Sequence, residues 1–167
     1  MINLKTPLSD EIISGLKVGD MITISGKIYT GRDAVLPRLV RLAADGRLEE
    51  YGINLQGSVM FHTAVSPAGV GPTSSNKFEI ESSFEILSQE GVKIHLGKGA
   101  ISPETVQKLH ENNAVFAVIA PVTALLESKT KDKRVIAFPE LGMEALHEIV
   151  VEEYPAIIAA AHNQTVY

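Results

Sequence analysis

The sequence predicts an α/β domain whose sheet is mixed and at least partly parallel. Short apolar runs bounded by glycine, proline or asparagine alternate with segments of helical spacing, the pattern of helices crossing between parallel strands. One run, 114–120, is apolar without a break, which suits a strand covered on both faces. The chain has 167 residues, 45% of them apolar and 21% charged. No repeat, low-complexity segment or internal linker divides it, so one domain over 1–167 is expected.

The elements follow in order. Residues 21–29 alternate, with Ile22, Ile24, Gly26 and Ile28 facing one way and Thr23, Ser25 and Lys27 the other, which reads as a half-buried strand. After Thr30-Gly31-Arg32-Asp33 a helix is expected, with Leu36, Leu39, Val40 and Ala43 on one face and Pro37 tolerated only in its first turn. The apolar run 58–65 leads into a loop over 66–77 rich in glycine and serine. The next helix closes at Gly91, a good C-cap residue. Residues 92–96 read as a strand entering Gly97-Lys98-Gly99. Ser102-Pro103-Glu104 marks a helix start, with an N-cap, a proline at the first position and an acid in the first turn. Strands are also expected over 114–120, 134–138 and 155–161, and 142–151 has helical periodicity. Lys131-Asp132-Lys133-Arg134 reads as a solvated turn, and Glu79, Glu81 and Glu85 as a solvated helix face.

Composition narrows the function. The net charge is −5, tryptophan is absent and the longest basic run is that of 131–134, so nucleic-acid binding has no footprint. There is no cysteine, which excludes disulfides, thiol nucleophiles and a cysteine-ligated cluster held by this chain alone. No apolar stretch is long enough to span a bilayer. The N-terminus has no basic leader and reads as that of a mature, cytoplasmic protein. None of the five histidines forms an i, i+4 ligand pair. His110 and His147 fall on expected helices and His95 in a strand, while His62, just before the glycine-rich loop, has the best claim to a site.

Three loops, each following an expected strand, combine glycine with a cation: Thr30–Asp33 with Arg32, 71–77 with Lys77, and Gly97–Gly99 with Lys98. Ligands of α/β sheets collect at the carboxyl ends of parallel strands, and open backbone amides beside cations suit a small polyanion, either a dicarboxylate or a phosphate. The plainer reading is that the glycines make turns and the cations are solvated. The string from Gly91 to Gly99 is not a nucleotide loop. Its glycine spacing is one residue too long, and Gly99 stands where a hydroxyl should meet magnesium.

Thr30-Gly31-Arg32-Asp33, Gly71-Pro72-Thr73-Ser74-Ser75, Gly97-Lys98-Gly99 and Glu140-Leu141-Gly142-Met143-Glu144-Ala145, followed by Tyr154-Pro155-Ala156, resemble in order and spacing the C-terminal region of class I fumarases and the beta subunits of tartrate dehydratases. The resemblance covers most of the chain. It implies a swivelling β/β/α domain, reversible hydration of a dicarboxylate alkene, and a four-iron–four-sulfur cluster held by a cysteine-bearing alpha subunit, with none bound by this chain alone. The expected assembly is a hetero-oligomer. In that chemistry the cluster's open iron acts as a Lewis acid on the hydroxyl, while fixed cations stabilise the carbanion-like charge.

Residue by residue, the resemblance implies Arg32 as a bidentate carboxylate contact and Lys98 as a compact charge for the same purpose. Thr73 takes a proton-transfer role or a simple hydrogen-bonding one. Ser74, Lys77 and Gly97 join the substrate-binding set. Asp33 either orients Arg32 or caps the following helix, the cap being the favoured reading. Lys93, earlier in the strand that leads to Lys98, is expected to matter little. Several positions depart from the family: Ser74 replaces a threonine, Lys77-Phe78-Glu79 replaces Arg-Met-Asp, Leu36-Pro37 replaces His-Lys, and Ala160-Ala161-His162 lies where an aspartate is common. Lysine at 77 keeps a charge without the fork of arginine. Fumarate is the leading substrate, with tartrate or mesaconate next. A non-catalytic domain that holds an organic anion is the alternative from another class.

Overall fold

The computed structural model describes residues 1–66, 69–70, 77–119 and 123–166, and the side chains of 1–65, 81–119 and 125–166. In chain order the elements are β1 (Ile2–Lys5), α1 (Asp10–Ser14), β2 (Met21–Thr30), α2 (Leu36–Ala44), a 3-10 turn (Leu48–Tyr51), β3 (Ser58–Phe61), β4 (Val65–Ser66) and β5 (Gly69–Val70). There follow α3 (Lys77–Gln89), β6 (Val92–Gly97), α4 (Pro103–Glu111), β7 (Val115–Val118), α5 (Thr123–Ser128), β8 (Thr130–Ala137), a second 3-10 turn (Pro139–Glu144), β9 (Leu146–Ala161) and β10 (Gln164–Thr165).

Strands β1, β2, β3, β6 and β7 are parallel neighbours in that order. The long strand β9 runs antiparallel to β7 and also along β2. The circuit β2–β3–β6–β7–β9 therefore closes on itself, with β1, β8 and β10 added at its margins. The mixed, partly parallel sheet is the one the alternation of elements predicted. Inside the closed circuit pack Ile24, Ile28, Val59, Phe61, Ile94, Leu96, Val115, Ala117 and Ile149, each fully buried aliphatic side chain contributing about 1.5–3 kcal/mol. Helices α2, α3 and α4 cover the outer face, whereas Ile13 of α1 and Leu126 of α5 join the inner cluster. α2 lays Leu36, Leu39 and Leu42 against Tyr29 and Met60, and Phe84 of α3 meets Val106, Leu109 and Phe116.

Local chemistry sets the boundaries. Ser102 caps α4 by accepting from the Thr105 amide at 3.2 Å, and Pro37 falls in the first turn of α2. Gly91 has φ of 116° just after α3; a Cβ there would lie 2.6 Å from the Gln56 backbone, so only glycine fits.

Three local expectations are corrected, and the strand expected over 155–161 is extended. The helix expected over 142–151 is instead the second 3-10 turn followed by the start of β9. Gly142, at φ 61° and ψ −123°, breaks the helical path. Residues 146–151 then pair with both β8 and β2, and a short apolar run buried on both faces mimics helical spacing. His147 is accordingly on β9, not a helix, whereas His110 is on α4 as expected. The strand expected over 155–161 belongs to the same long β9; Pro155 falls between the stretch paired with β8 and that paired with β7, where proline's missing donor is tolerated. Lys131-Asp132-Lys133-Arg134 lies on β8 rather than in a turn, with Lys131 at 3.7 Å from Glu152 and Arg134 at 3.0 Å from Glu148.

Candidate active site at the carboxyl rim of the parallel strands

Because β2, β3, β6 and β7 run parallel, their carboxyl ends meet at one rim. Backbone bonds extend the ladder there: the Gly31 amide donates to the Phe61 carbonyl at 3.0 Å, the His62 amide to Leu96 at 2.9 Å, and the Ile119 amide to Gly97 at 3.1 Å. Arg32 follows the first of these rungs by one residue and Lys98 follows the last in the same way. The fold thus brings two of the expected anion loops to the same rim, with β3 between the strands that lead to them. Gly31 is required by packing, since a Cβ would stand 2.7 Å from Val35 Cγ1. At Gly97, where β6 ends, a Cβ would press on the Phe116 ring at 3.3 Å. Gly99 turns the chain away at φ 78°.

Arg32 Nε donates to Glu144 Oε1 at 2.6 Å. That bond raises the guanidinium pKa above its ordinary value; partial burial opposes it, and the charges of Glu144 and Asp33 add to it. Glu144 ends the 3-10 turn before β9, so the pair joins two of the family-like motifs. Asp33 does not cap α2 as expected. The cap is Val35, without a side-chain cap bond, and Asp33 acts electrostatically on Arg32. Lys98 is exposed and makes no hydrogen bond or ion pair with any described residue. Thr73 and Ser74 lie outside the described residues. Lys77 opens α3, but its side chain is likewise outside them.

Lys93, expected to matter little to catalysis, has a structural role. It is 6% exposed, bonds Asp10 Oδ1 at 2.5 Å and donates to the Asn112 carbonyl at 3.4 Å. The acids of α3 are not a merely solvated face either. Glu81 accepts from the Ser102 amide at 2.6 Å and Glu85 pairs with Lys108 at 3.2 Å, while the Glu79 side chain is outside the described residues.

The rim holds a group the sequence reading largely missed. His62 Nε2 lies 3.0 Å from His95 Nδ1, and His95 Nε2 lies 2.9 Å from the Ser88 hydroxyl. Phe84 stacks on the His95 ring with centroids at 4.2 Å and lies tilted by 32° against His62 at 4.7 Å. Burial pushes the His62 pKa down to about 3, and burial followed by the neighbouring His62 holds His95 well below its ordinary value. Both rings are neutral at pH 7. Among the described residues, His62 Nδ1 and Thr30 Oγ1 are buried without a hydrogen-bond partner. The one signal in sequence was the place of His62 before the glycine-rich loop; nothing tied it to His95 or Ser88.

The donor set does not fit an iron–sulfur cluster. The chain has no cysteine, and no group of three potential metal ligands occurs among the described residues. No helix among them is long and apolar enough to cross a membrane.

Comparison with known proteins matches the family described as Fumarase C-terminus over residues 1–166. The L(+)-tartrate dehydratase subunit beta of Escherichia coli K12 is 30% identical over 170 residues, covering 94% of this chain and 81% of that protein. The anaerobic class I fumarate hydratase of the same organism is 26% identical over 167 residues, covering 94% of this chain and 30% of that protein. A protein of Geobacillus stearothermophilus described as a putative class I fumarate hydratase is 31% identical over 126 residues, and the chain spans 23% of it. The chain thus spans less than a third of the two fumarase relatives and most of the tartrate dehydratase subunit. With the rim's motifs and the whole-length match in agreement, the chain belongs to the Fumarase C-terminus family.

Proposed function

We propose that this chain is the beta subunit of a hydro-lyase that adds water reversibly across the double bond of a dicarboxylate, with fumarate and malate as the substrate pair. The observation that supports this best is the placing of Arg32 and Lys98 at the same rim, each one residue beyond a backbone rung. Dehydration of malate requires loss of a proton alpha to a carboxylate, and the electron pair left behind spreads onto that carboxylate. In this reading Arg32 holds one carboxylate of the substrate by its planar fork. Lys98 offsets the charge that grows as the proton leaves. Thr73 transfers that proton or positions the group that does, and Ser74, Lys77 and Gly97 complete the binding set.

The iron–sulfur cluster belongs, in the same proposal, to a cysteine-bearing alpha subunit, and the two chains work as a cytoplasmic hetero-oligomer. A second reading keeps the machinery and takes tartrate as the substrate. It is favoured by the 81% coverage of a relative named a tartrate dehydratase subunit, against 30% of the fumarase.

Anaerobic co-expression with the cysteine-bearing subunit, followed by assays on fumarate, L(+)-tartrate and mesaconate, tests both readings. Hydration of fumarate well above the other two supports the first, and preference for tartrate supports the second. An assembled, iron-loaded complex inactive on all three would favour a domain that only binds an organic anion. Turnover by the chain alone in the presence of chelator would overturn the dependence on a partner.

A further inference from the structure

We infer that His62 is a specificity-determining residue of this rim, its Nδ1 donating a hydrogen bond to a carboxylate oxygen of the bound dicarboxylate and its ring held in that role by His95 and Ser88. The nature of the anion rests on the hydro-lyase reading above; the placement of the ring does not.

Position is the first ground. β3 lies between β2 and β6 in the sheet, so His62, one residue past β3, sits between the strand ends that lead to Arg32 and Lys98. Val59 and Phe61 face the inside of the closed sheet, and alternation turns His62 to the other face, against Phe84 of α3. Because α3 returns antiparallel to β3 and β6, the chain Ser88–His95–His62 climbs from the last turns of that helix toward the rim. Its terminal atom is the one without a partner: His62 is 3% exposed, and its Nδ1 makes no hydrogen bond with any described residue. A buried ring nitrogen left in this state is costly to the free chain. A ligand oxygen that fills it makes a bond without stripping water from the nitrogen.

The proton count fixes the chemistry. Burial keeps both imidazoles neutral, so each ring has one N–H to give. A carboxylate accepts and never donates, so it selects the Nδ1–H form of His62. Nε2 of His62 then accepts from His95 Nδ1–H, and His95 Nε2 accepts from the Ser88 hydroxyl. No described residue satisfies His62 Nδ1, and the bound anion supplies the partner it lacks. Phe84, packed against both rings, stops His62 from turning away.

The test uses the full chain labelled with nitrogen-15, titrated with malate, and two substitutions. Ring spectra of the malate-saturated chain should show His62 as the Nδ1–H tautomer. Malate should shift that nitrogen while leaving His110 and His162 in place. His62→Gln, whose amide reaches the Nε2 position and keeps the bond to His95, should weaken malate binding about tenfold. His62→Asn, whose amide reaches the Nδ1 position, should bind within about threefold of the parent chain. If malate moves the amides of Gly31 and Gly97 but not the His62 ring, and His62→Gln binds normally, the anion site stands and the role of His62 falls. An Nε2–H tautomer in the malate-saturated chain overturns it too. Silence of both ring and rim amides at saturating malate overturns this inference together with the reading it rests on.

Discussion

The Nε of Arg32 is bonded to Oε1 of Glu144 at 2.6 Å across 112 residues of sequence, so the arginine of one loop is aimed by the acid of another. Both side chains are about one quarter exposed, at 24% and 27%, which leaves the pair only partly screened. A guanidinium tethered through Nε keeps its fork on a fixed bearing. Glu144→Ala should therefore lower kcat/KM about tenfold, chiefly through KM, because a swinging Arg32 meets the substrate carboxylate in the wrong geometry. Glu144→Gln retains an acceptor and should recover most of the loss. Steady-state kinetics on the assembled enzyme decide it; identical behaviour of the alanine and glutamine variants would refute an aiming role.

Lys93 concerns folding rather than catalysis. Its buried ammonium is held by Asp10 and by the Asn112 carbonyl, which ties β6 to the start of α1 and the end of α4. Lys93→Met, which keeps the stem and removes the charge, should cost less than Asp10→Ala, which strands the buried cation without its carboxylate. Thermal unfolding of the two variants measures this. Equal melting temperatures in both and in the parent chain would mean that the pair contributes nothing.

These two lysines show what the sequence could and could not reveal. The place of Lys98 at the end of β6 was legible because glycine flanks it after a strand, and such loops gather at the carboxyl ends of parallel strands whatever the rest of the fold does. Ser102 and Pro103 were legible because capping chemistry is local. Lys93 looked ordinary because its partners come from two other elements. The segment 142–151 misled for a similar reason: Leu146, Ile149 and Val150 suit a helix face and a doubly paired strand equally, and only the partners β2 and β8 decide between them. The bond from His95 to His62 spans 33 residues and leaves no periodic trace, so it had to be seen in three dimensions.

The paired histidines also predict how stability responds to acid. In the unfolded chain an imidazole takes a proton near pH 6.5, whereas His62 in the folded chain resists until about pH 3. Between those values the unfolded state holds more protons, so stability falls as pH falls through the window. The slope has a ceiling of about 1.4 kcal/mol per pH unit per histidine. The slope is about half its ceiling at pH 6.5 and fades by about pH 7.5. Urea unfolding at pH 7.5, 6 and 5 should show the decline, and His62→Phe, which keeps a ring against Phe84, should flatten it. An unchanged slope in that variant would assign the acid sensitivity to other groups.

Lys98 is the sharpest test of the chemistry. Gly97 and Gly99 flank it, the rung between Gly97 and Ile119 holds its backbone, and its ammonium has no partner among the described residues. A cation placed in that way is available to charge that appears only during reaction. If Lys98 offsets the charge that grows as the alpha proton leaves, Lys98→Ala should lower kcat by roughly 10²–10³-fold, the usual cost of losing one preorganised electrostatic donor. KM should change less, because Arg32 still holds the ground-state carboxylate. Lys93 cannot serve as the control, being a buried structural residue; Lys131, 52% exposed on β8, is the better one and should leave both constants alone. The comparison belongs on the assembled complex with iron content matched. A rise in KM with kcat intact would make Lys98 a substrate tether only, and no change in either constant would remove it from the site.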